Sequence, residues 1–265
     1  GLNNKLNNSN KKINVLGIPV SRFGVGNVAT LFSQKEPGKP LILTFVNPQA
    51  CNLANKHADY TKLLERFDVV GCDGIGMAKA AQACGLIDIK RESPDFSSLM
   101  GPIFKWGSEN NCTVGFIGGK PDVAKKATSI IQQEFSDLHI AACFTGYGQD
   151  PDDALTYFTE NQTELVICGM GAPLQERFLV RLVANGWQGI GVTCGGFLDQ
   201  TTKSVTYYPA WIDRLDLRFL YRLVKEPRRL WRRYFLDYRI FLWRFCKLKW
   251  TLVRSRRAAG RSPGQ

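Results

Sequence analysis

The chain has 265 residues, 44% of them hydrophobic, enough to bury one large core. Its formal charge of +12 is uneven: residues 211–265 carry 16 of the 35 Lys and Arg and 4 of the 23 Asp and Glu, so residues 1–210 are neutral with 19 of each. A neutral body with a basic tail points to one surface that meets an anionic partner, lipid or nucleic acid, and charges in the tail exclude the run of roughly 20 apolar residues that a membrane-spanning helix needs.

Residues 1–12, GLNNKLNNSNKK, are polar and Asn-rich. They lack the apolar core of a secretory signal, so they are expected to be a disordered leader on a cytosolic chain. From residue 13, short apolar runs alternate with helix-patterned stretches. Residues 40–48 precede a helix from about 48, 67–70 one from about 75, 113–119 one from about 122, and 164–171 one from about 174. This βα alternation predicts an α/β, Rossmann-like domain over 13–210, a parallel sheet with flanking helices. The near-continuous run 165–168 suits a strand buried on both faces, and Gly-rich turns at the carboxyl ends mark where such sheets hold ligands.

From Trp211 the texture changes. Arg214, Arg218 and Arg222 recur at i, i+4 and i+8, with Leu215, Phe219, Leu220 and Leu223 on another face, the pattern of an amphipathic helix. Pro227 is expected to end or kink it. A second segment, about 228–250, interleaves Arg and Lys with Trp231, Tyr234, Phe235, Tyr238, Phe241, Trp243, Phe245 and Trp250. The expected organisation is therefore a leader (1–12), a catalytic domain (13–210), a basic aromatic membrane-association appendage (211–250) and a disordered tail (251–265).

The eight cysteines include no CxxC pair, and several fall in apolar segments, so buried reduced thiols are expected rather than a disulfide framework or a zinc site. His57 and His139 lie near no Cys or carboxylate at ligand spacing and read as surface or packing residues.

Asp73, in VVGCDGIG, is the most informative carboxylate. It follows a buried strand and is flanked by Gly71, Gly74 and Gly76, which would let a ligand approach the backbone closely. As a general base it would take the proton from an acceptor hydroxyl attacking an anomeric carbon, with partial desolvation raising its pKa. The competing reading is an N-cap for the helix near 75. The turn Gly118-Gly119-Lys120-Pro121 offers backbone N–H groups to a diphosphate. It has neither GxGxxG nor P-loop spacing, and a bare structural turn is an equal reading. The turn at 168–178 adds Gln175 and Glu176 just after Pro173, polar side chains able to read a base or ribose. Asp150-Pro151-Asp152 matches a metal-binding DxD, but Asp150 as N-cap, Pro151 at N1 and acids in the first turn make a complete helix start, which is the preferred reading.

Six motifs occur in order: VNP (46–48), DGIG (73–76), GFIGGKP (115–121), GMGAPLQE (169–176), GVTCGGFLD (191–199) and LRFLYRLVKEPRRLWRRY (217–234). Through them the chain resembles the WecG/TagA/CpsF glycosyltransferase family across about residues 14–240. The resemblance implies inverting, metal-independent transfer of a sugar from a UDP donor to a sugar on a polyprenyl diphosphate, with no cofactor. It implies Asp73 as catalytic base with Asn47 as its acceptor-side neighbour. It implies a nucleotide-sugar site at Gly118, Gly119, Gly171, Pro173, Gln175, Glu176, Asp199 and Arg91. It also implies that Arg222, Arg229 and Arg232 fold over the site and neutralise the diphosphate, the task a metal performs elsewhere.

The chain departs from the family where a Thr commonly stands two residues before the Asn: that place is Phe45, with Thr44 one residue earlier. The segment commonly ending in RAP is TTKSVTYYP (201–209), and the RxxGxD-like stretch is RESPD, with Arg91 and Asp95 retained. These departures turn the expected donor away from UDP-N-acetylmannosamine or its uronic acid. The 217–230 run resembles exopolysaccharide members of the family, which implies UDP-glucose.

Eight aromatics interleaved with cations exceed what a small appendage buries and suit the headgroup region of an anionic leaflet. The expected membrane contacts are Arg218, Arg228, Arg233, Trp231 and Trp243. Arginines with aromatics also serve nucleic acid, but no RNA-binding or helix-turn-helix signature accompanies them, so no nucleic-acid partner is expected. The expected place is the cytoplasmic face of the bacterial inner membrane, peripherally bound, and a homo-oligomer is compatible with this reading.

Overall fold

The computed structural model describes residues 11–94, 98–196, 224 and 227–259. The described course opens in an antiparallel hairpin, β1 (Lys12–Val15) and β2 (Ile18–Ser21). After the short helix α1 (Val28–Ser33), the chain alternates between strands and helices: β3 (Leu41–Val46), α2 (Ala50–Lys56), α3 (Tyr60–Glu65), β4 (Val69–Cys72), α4 (Ile75–Ala83), α5 (Met100–Glu109), β5 (Thr113–Gly118), α6 (Pro121–Glu134), β6 (His139–Phe144), α7 (Asp150–Glu160), β7 (Leu165–Gly169), α8 (Leu174–Ala184) and β8 (Ile190–Thr193). The six strands β3–β8 form one parallel sheet in the order β4-β3-β8-β7-β5-β6.

This is the expected α/β architecture, a parallel sheet covered by helices on both faces. Every residue of β3, β4 and β8 is buried, as strands covered on both sides must be. Alternate residues feed two cores: Ile42 and Val46 pack with α2, α3, α4 and α8, whereas Leu43 and Phe45 pack with α1, α5 and α6. Four sheet strands are those marked by apolar runs, and β6, β8 and the hairpin add to them. β6 is an edge strand of partly exposed residues, so its sequence needs no continuous apolar run. β8 has only four residues, one of them Gly191, where a Cβ would lie 2.9 Å from Leu179 Cδ2 and 3.2 Å from Ile42 Cγ2.

The C-terminal part is helical. Pro227 opens α9 (Pro227–Arg232), as its missing N–H and fixed φ allow at a first helical position. A π-helical turn, Arg233–Asp237, leads into the 21-residue α10 (Arg239–Ala259). Residues 251–259, expected to be unstructured, continue α10, because no helix breaker occurs before Gly260. α10 docks on α2, α4 and the hairpin. Phe241 is 4% exposed, and Arg244 donates from Nη1 to the Leu16 carbonyl (2.7 Å) and from Nη2 to Asn55 Oδ1 (3.1 Å). No helix among the described residues is long and apolar enough to cross a membrane.

Candidate active site

Because the sheet is parallel, its carboxyl ends share one edge, and the motifs collect there. Pairing of Phe45 with Gly71 and Val46 with Cys72 brings Asn47 beside Asp73, and Asp73 N–H donates to the Val46 carbonyl at 2.9 Å. On the other side of β3 come the β8 turn at Cys194–Gly196, the β7 turn at 170–173 and the β5 turn at Gly118–Gly119, tied by the pairs Cys168–Thr193 and Gly118–Gly169. From β4 to β5 this row crosses four strand spacings of about 4.8 Å, or about 19 Å.

Asp73 does not cap α4. Gly74 is the N-cap, with φ +87°, so Asp73 stands one residue before the capping position. The half-buried Asp73 carboxylate instead accepts a hydrogen bond at Oδ1 from Ser93 Oγ at 3.0 Å. The same segment is pinned by Glu92 N–H, which donates to the Cys72 carbonyl at 2.8 Å. Glu92 Oε1 accepts from Gly26 N–H at 3.1 Å, tying the loop after β2 to the end of β4. Burial raises the Glu92 pKa, and its Oε2 is buried without a hydrogen-bond partner among the described residues. The Cys72 thiol is pushed up to about 12, by burial first and then by the Glu92 and Asp73 carboxylates.

The glycines around Asp73 divide in function. A Cβ on Gly71 would lie 2.7 Å from Glu92 Oε2 and 2.8 Å from Phe45 Cδ1, and one on Gly76 3.3 Å from Pro48 and 3.4 Å from Phe241. Both therefore serve internal packing, whereas no described atom lies within 4 Å of a Cβ on Gly74, which narrows the expectation that all three admit a ligand. Asn47 Oδ1 accepts from Gln49 N–H at 2.9 Å, fixing the turn into α2, which leaves the amide nitrogen as the group able to donate elsewhere.

Gln175 and Glu176 lie beneath the row rather than on it. They are 4% and 0% exposed. Glu176 Oε1 accepts from Thr44 Oγ1 at 2.8 Å and from Gln175 Nε2 at 3.2 Å. Thr44 and Thr193 hydroxyls lie 2.8 Å apart, and Gln175 Oε1 accepts from Gly195 N–H at 3.1 Å. The two side chains thus fasten α8 to β3 and set the β8 turn. Burial raises the Glu176 pKa against the opposing pull of the Thr44 hydroxyl. Thr44, Thr193, Glu92 and Ser93 stand in or beside the stretches LTFVNP, GVTCGGFLD and RESPD, but no pattern in those stretches singles them out as the polar partners they are.

Gly118 and Gly119 have φ of +141° and +70°, and a side chain on Gly118 would run into the Gly169 carbonyl. Gly171 has φ +77°, with no described atom within 4 Å of where its Cβ would stand, and the Ala172–Pro173 peptide is cis. Asp150 lies inside α7 and Gln149 is the N-cap, one residue earlier than expected; Asp150 Oδ2 accepts from Thr145 N–H at 2.8 Å. Asp152 pairs with Arg181 at 3.1 Å. No group of three or more His, Cys, Asp or Glu that could hold a metal ion occurs among the described residues. No disulfide joins any of the cysteines among the described residues, and five of the eight are buried. His139 is exposed at the start of β6, and His57 caps α2.

Arg91 is partly buried beside this segment. Arg229 and Arg232 lie on α9 and Arg228 with them, while Arg233 begins the π turn; Arg232 is exposed. Trp231 and Trp243 are 54% and 64% exposed. Asp95, Asp199, Arg218, Arg222 and the 201–209 segment lie outside the described residues.

The profile of the glycosyl transferase WecG/TagA/CpsF family matches residues 13–255. The chain belongs to this family. Among relatives, it is 30% identical over 208 residues (77% of this chain, 85% of the relative) to the UDP-Gal:alpha-D-GlcNAc-diphosphoundecaprenol beta-1,4-galactosyltransferase of Shigella boydii. It is 27% identical over 194 residues (72% and 74%) to the N-acetylglucosaminyldiphosphoundecaprenol N-acetyl-beta-D-mannosaminyltransferase of Bacillus subtilis. To a protein of that same name in Bacillus spizizenii it is 24% identical over 200 residues (75% and 76%). The match to the WecG/TagA/CpsF family runs through α9 and most of α10, so the cationic helices are part of the family's own extent.

Proposed function

We propose that the chain transfers a hexosyl group from a UDP-sugar to an N-acetylglucosamine carried on undecaprenyl diphosphate, by inversion, with Asp73 as general base. The observation that carries this reading is Asp73 itself, a carboxylate at the carboxyl end of β4 that caps no helix and stands beside Asn47. The relatives' names specify β-linked products. Forming a β bond from an α-linked nucleotide donor is a single displacement and needs one base. Asp73 takes the acceptor hydroxyl proton as that oxygen bonds to the anomeric carbon. The bond to the UDP oxygen breaks, and UDP leaves with the electron pair.

Arg229 and Arg232 of α9, with Arg222, are the groups this proposal assigns to the leaving diphosphate charge. No divalent ion enters it: Asp150 and Asp152 have other partners, and transfer is expected to persist in EDTA. The donor is a UDP-hexose. Glucose follows from the resemblance of the tail run, galactose is the donor sugar named for the Shigella relative, and the two differ only at C4. The peripheral seat on the cytoplasmic face of the inner membrane belongs to the same proposal, carried by the exposed Trp231, Trp243 and Trp250 among the cations.

Asp73→Asn tests the assignment. With UDP-hexose and a diphosphate-lipid acceptor, the wild type should add one hexose, read by product mass. The variant should lose on the order of 10²–10⁴-fold in kcat while keeping its melting temperature. Transfer at the wild-type rate by Asp73→Asn would remove Asp73 from the chemistry.

A further inference from the structure

We propose that Phe241 and Arg244 of α10 are positioning residues for the two turns that carry Asn47 and Asp73, so that this helix orders the site from behind. The effect on transfer rests on the reading of Asp73 as the base; the ordering of the turns does not. α2 starts at Ala50, three residues after Asn47, and α4 at Ile75, two residues after Asp73. The course of each turn is therefore tied to where its helix lies, and α10 packs against both helices.

Phe241 stands where the two turns meet. It is 4% exposed, and a Cβ on Gly76 would lie 3.4 Å from its ring and 3.3 Å from Pro48. The ring stacks on Phe245 with centroids 5.7 Å apart and planes 17° apart. The turn it supports has Gly74 at φ +87° and Gly76 without a side chain, so it has little packing of its own and takes its shape from its neighbours.

Three residues on, Arg244 fixes how α10 lies. Its Nη1 donates to the Leu16 carbonyl at 2.7 Å and its Nη2 to Asn55 Oδ1 at 3.1 Å, in the last turn of α2. Leu16 and Gly17 form the two-residue turn of the β1–β2 hairpin, with φ of +55° and +86°. A Cβ on Gly17 would come within 2.9 Å of Arg244 Nη1, so the glycine leaves the guanidinium its seat. Phe241, Arg244, Phe245 and Leu248 recur at i, i+3, i+4 and i+7 and are less exposed than Leu242, Trp243, Cys246 and Lys247, so one stripe of α10 makes the docking. α2 is thus held near its start by Phe241 and near its end by Arg244. Misplacing a reacting group by about 1 Å costs on the order of 10²-fold in rate, so loss of either contact reaches the chemistry without touching a substrate.

The experiment uses the full chain, UDP-hexose and the diphosphate-lipid acceptor in detergent micelles without vesicles, where attachment to a bilayer plays no part. Phe241→Leu and Arg244→Ala should each lower kcat about ten-fold and leave the donor KM within about two-fold. Cys246→Ser, exposed on the same helix, should keep the wild-type kcat. In hydrogen exchange, amides of 50–56 and 73–83 should exchange at least about ten-fold faster in the first two variants, while β5 and β7 keep wild-type protection. Arg244→Ala removes no apolar group from the core, so it carries the test if Phe241→Leu folds poorly. Wild-type protection of both segments overturns the positioning role. So does protection lost equally in β5 and β7, or a kcat within about two-fold of wild type despite faster exchange at the turns. Asp73→Asn is assayed alongside: if it is fully active, the assignment of the base falls, and the exchange data still decide whether α10 orders the turns.

Discussion

Burial raises the Glu176 pKa above its ordinary value of 4.5, and the sign of that shift fixes its effect on stability. Below 4.5 folded and unfolded chains both hold the proton. As pH rises, the unfolded chain releases it first, so stability present in acid is lost as pH climbs through the folded-state pKa. Glu176→Gln cannot ionise and keeps an oxygen for the Thr44 hydroxyl. Its melting temperature relative to wild type should therefore rise as pH climbs from 4.5 towards the folded-state pKa and then level off in differential scanning calorimetry, whereas parallel curves would show that folding does not shift the Glu176 pKa. Glu176→Ala should cost about 1–3 kcal/mol, because Thr44 and Gln175 lose a buried acceptor. At this scale the motifs located Asp73 and Asn47 correctly on adjacent strand ends, since strand register follows from the apolar pattern. The contacts of Gln175 and Glu176 were not legible, since a helix's first turn can face either the crevice or the sheet, and Thr44, which bonds Glu176, stands 132 positions away in the chain.

α10 carries two faces with different work. Phe241, Arg244 and Phe245 face the body, where Phe241 closes the space beside Pro48 and Gly76. Trp243 and Trp250 are 64% and 61% exposed, with Lys247 5.3 Å from the first ring and Arg254 4.4 Å from the second. Phe241→Ala should destabilise the fold by about 3 kcal/mol in denaturant melts, as loss of a buried ring does. Trp243→Ser with Trp250→Ser should leave stability within about 0.5 kcal/mol and remove co-sedimentation with phosphatidylglycerol liposomes. Undiminished liposome binding by that double variant would place the membrane contact elsewhere. The aromatic-cationic alternation made the helix legible. The docking was not, because the Leu16 carbonyl that receives Arg244 is 228 residues away and carries no side-chain signal. The edge strand β6 was hidden for a simpler reason, its incomplete burial.

For the whole molecule, charge and chemistry meet at one end. The body is neutral, and α10 alone has seven Lys and Arg and no acid. At about 1 kcal/mol for each cation near an anionic leaflet, such a helix would, in the proposed function, hold the chain to a surface, and that hold is expected to weaken as salt screens it. Phe241 packs against Gly76 of the DGIG turn, which seats α10 beside the segment of Asp73; under the proposed function the same helix would bring a lipid-borne acceptor to the base. The decisive measurement is a panel of UDP-sugars offered to the full chain with N-acetylglucosaminyl diphosphate lipid on anionic vesicles in EDTA, with product mass and linkage determined. Addition of one hexose in β linkage, from UDP-glucose or UDP-galactose, is the expected result. Addition of an N-acetylated sugar alone, retention of the α configuration, or transfer only when manganese is restored would contradict it.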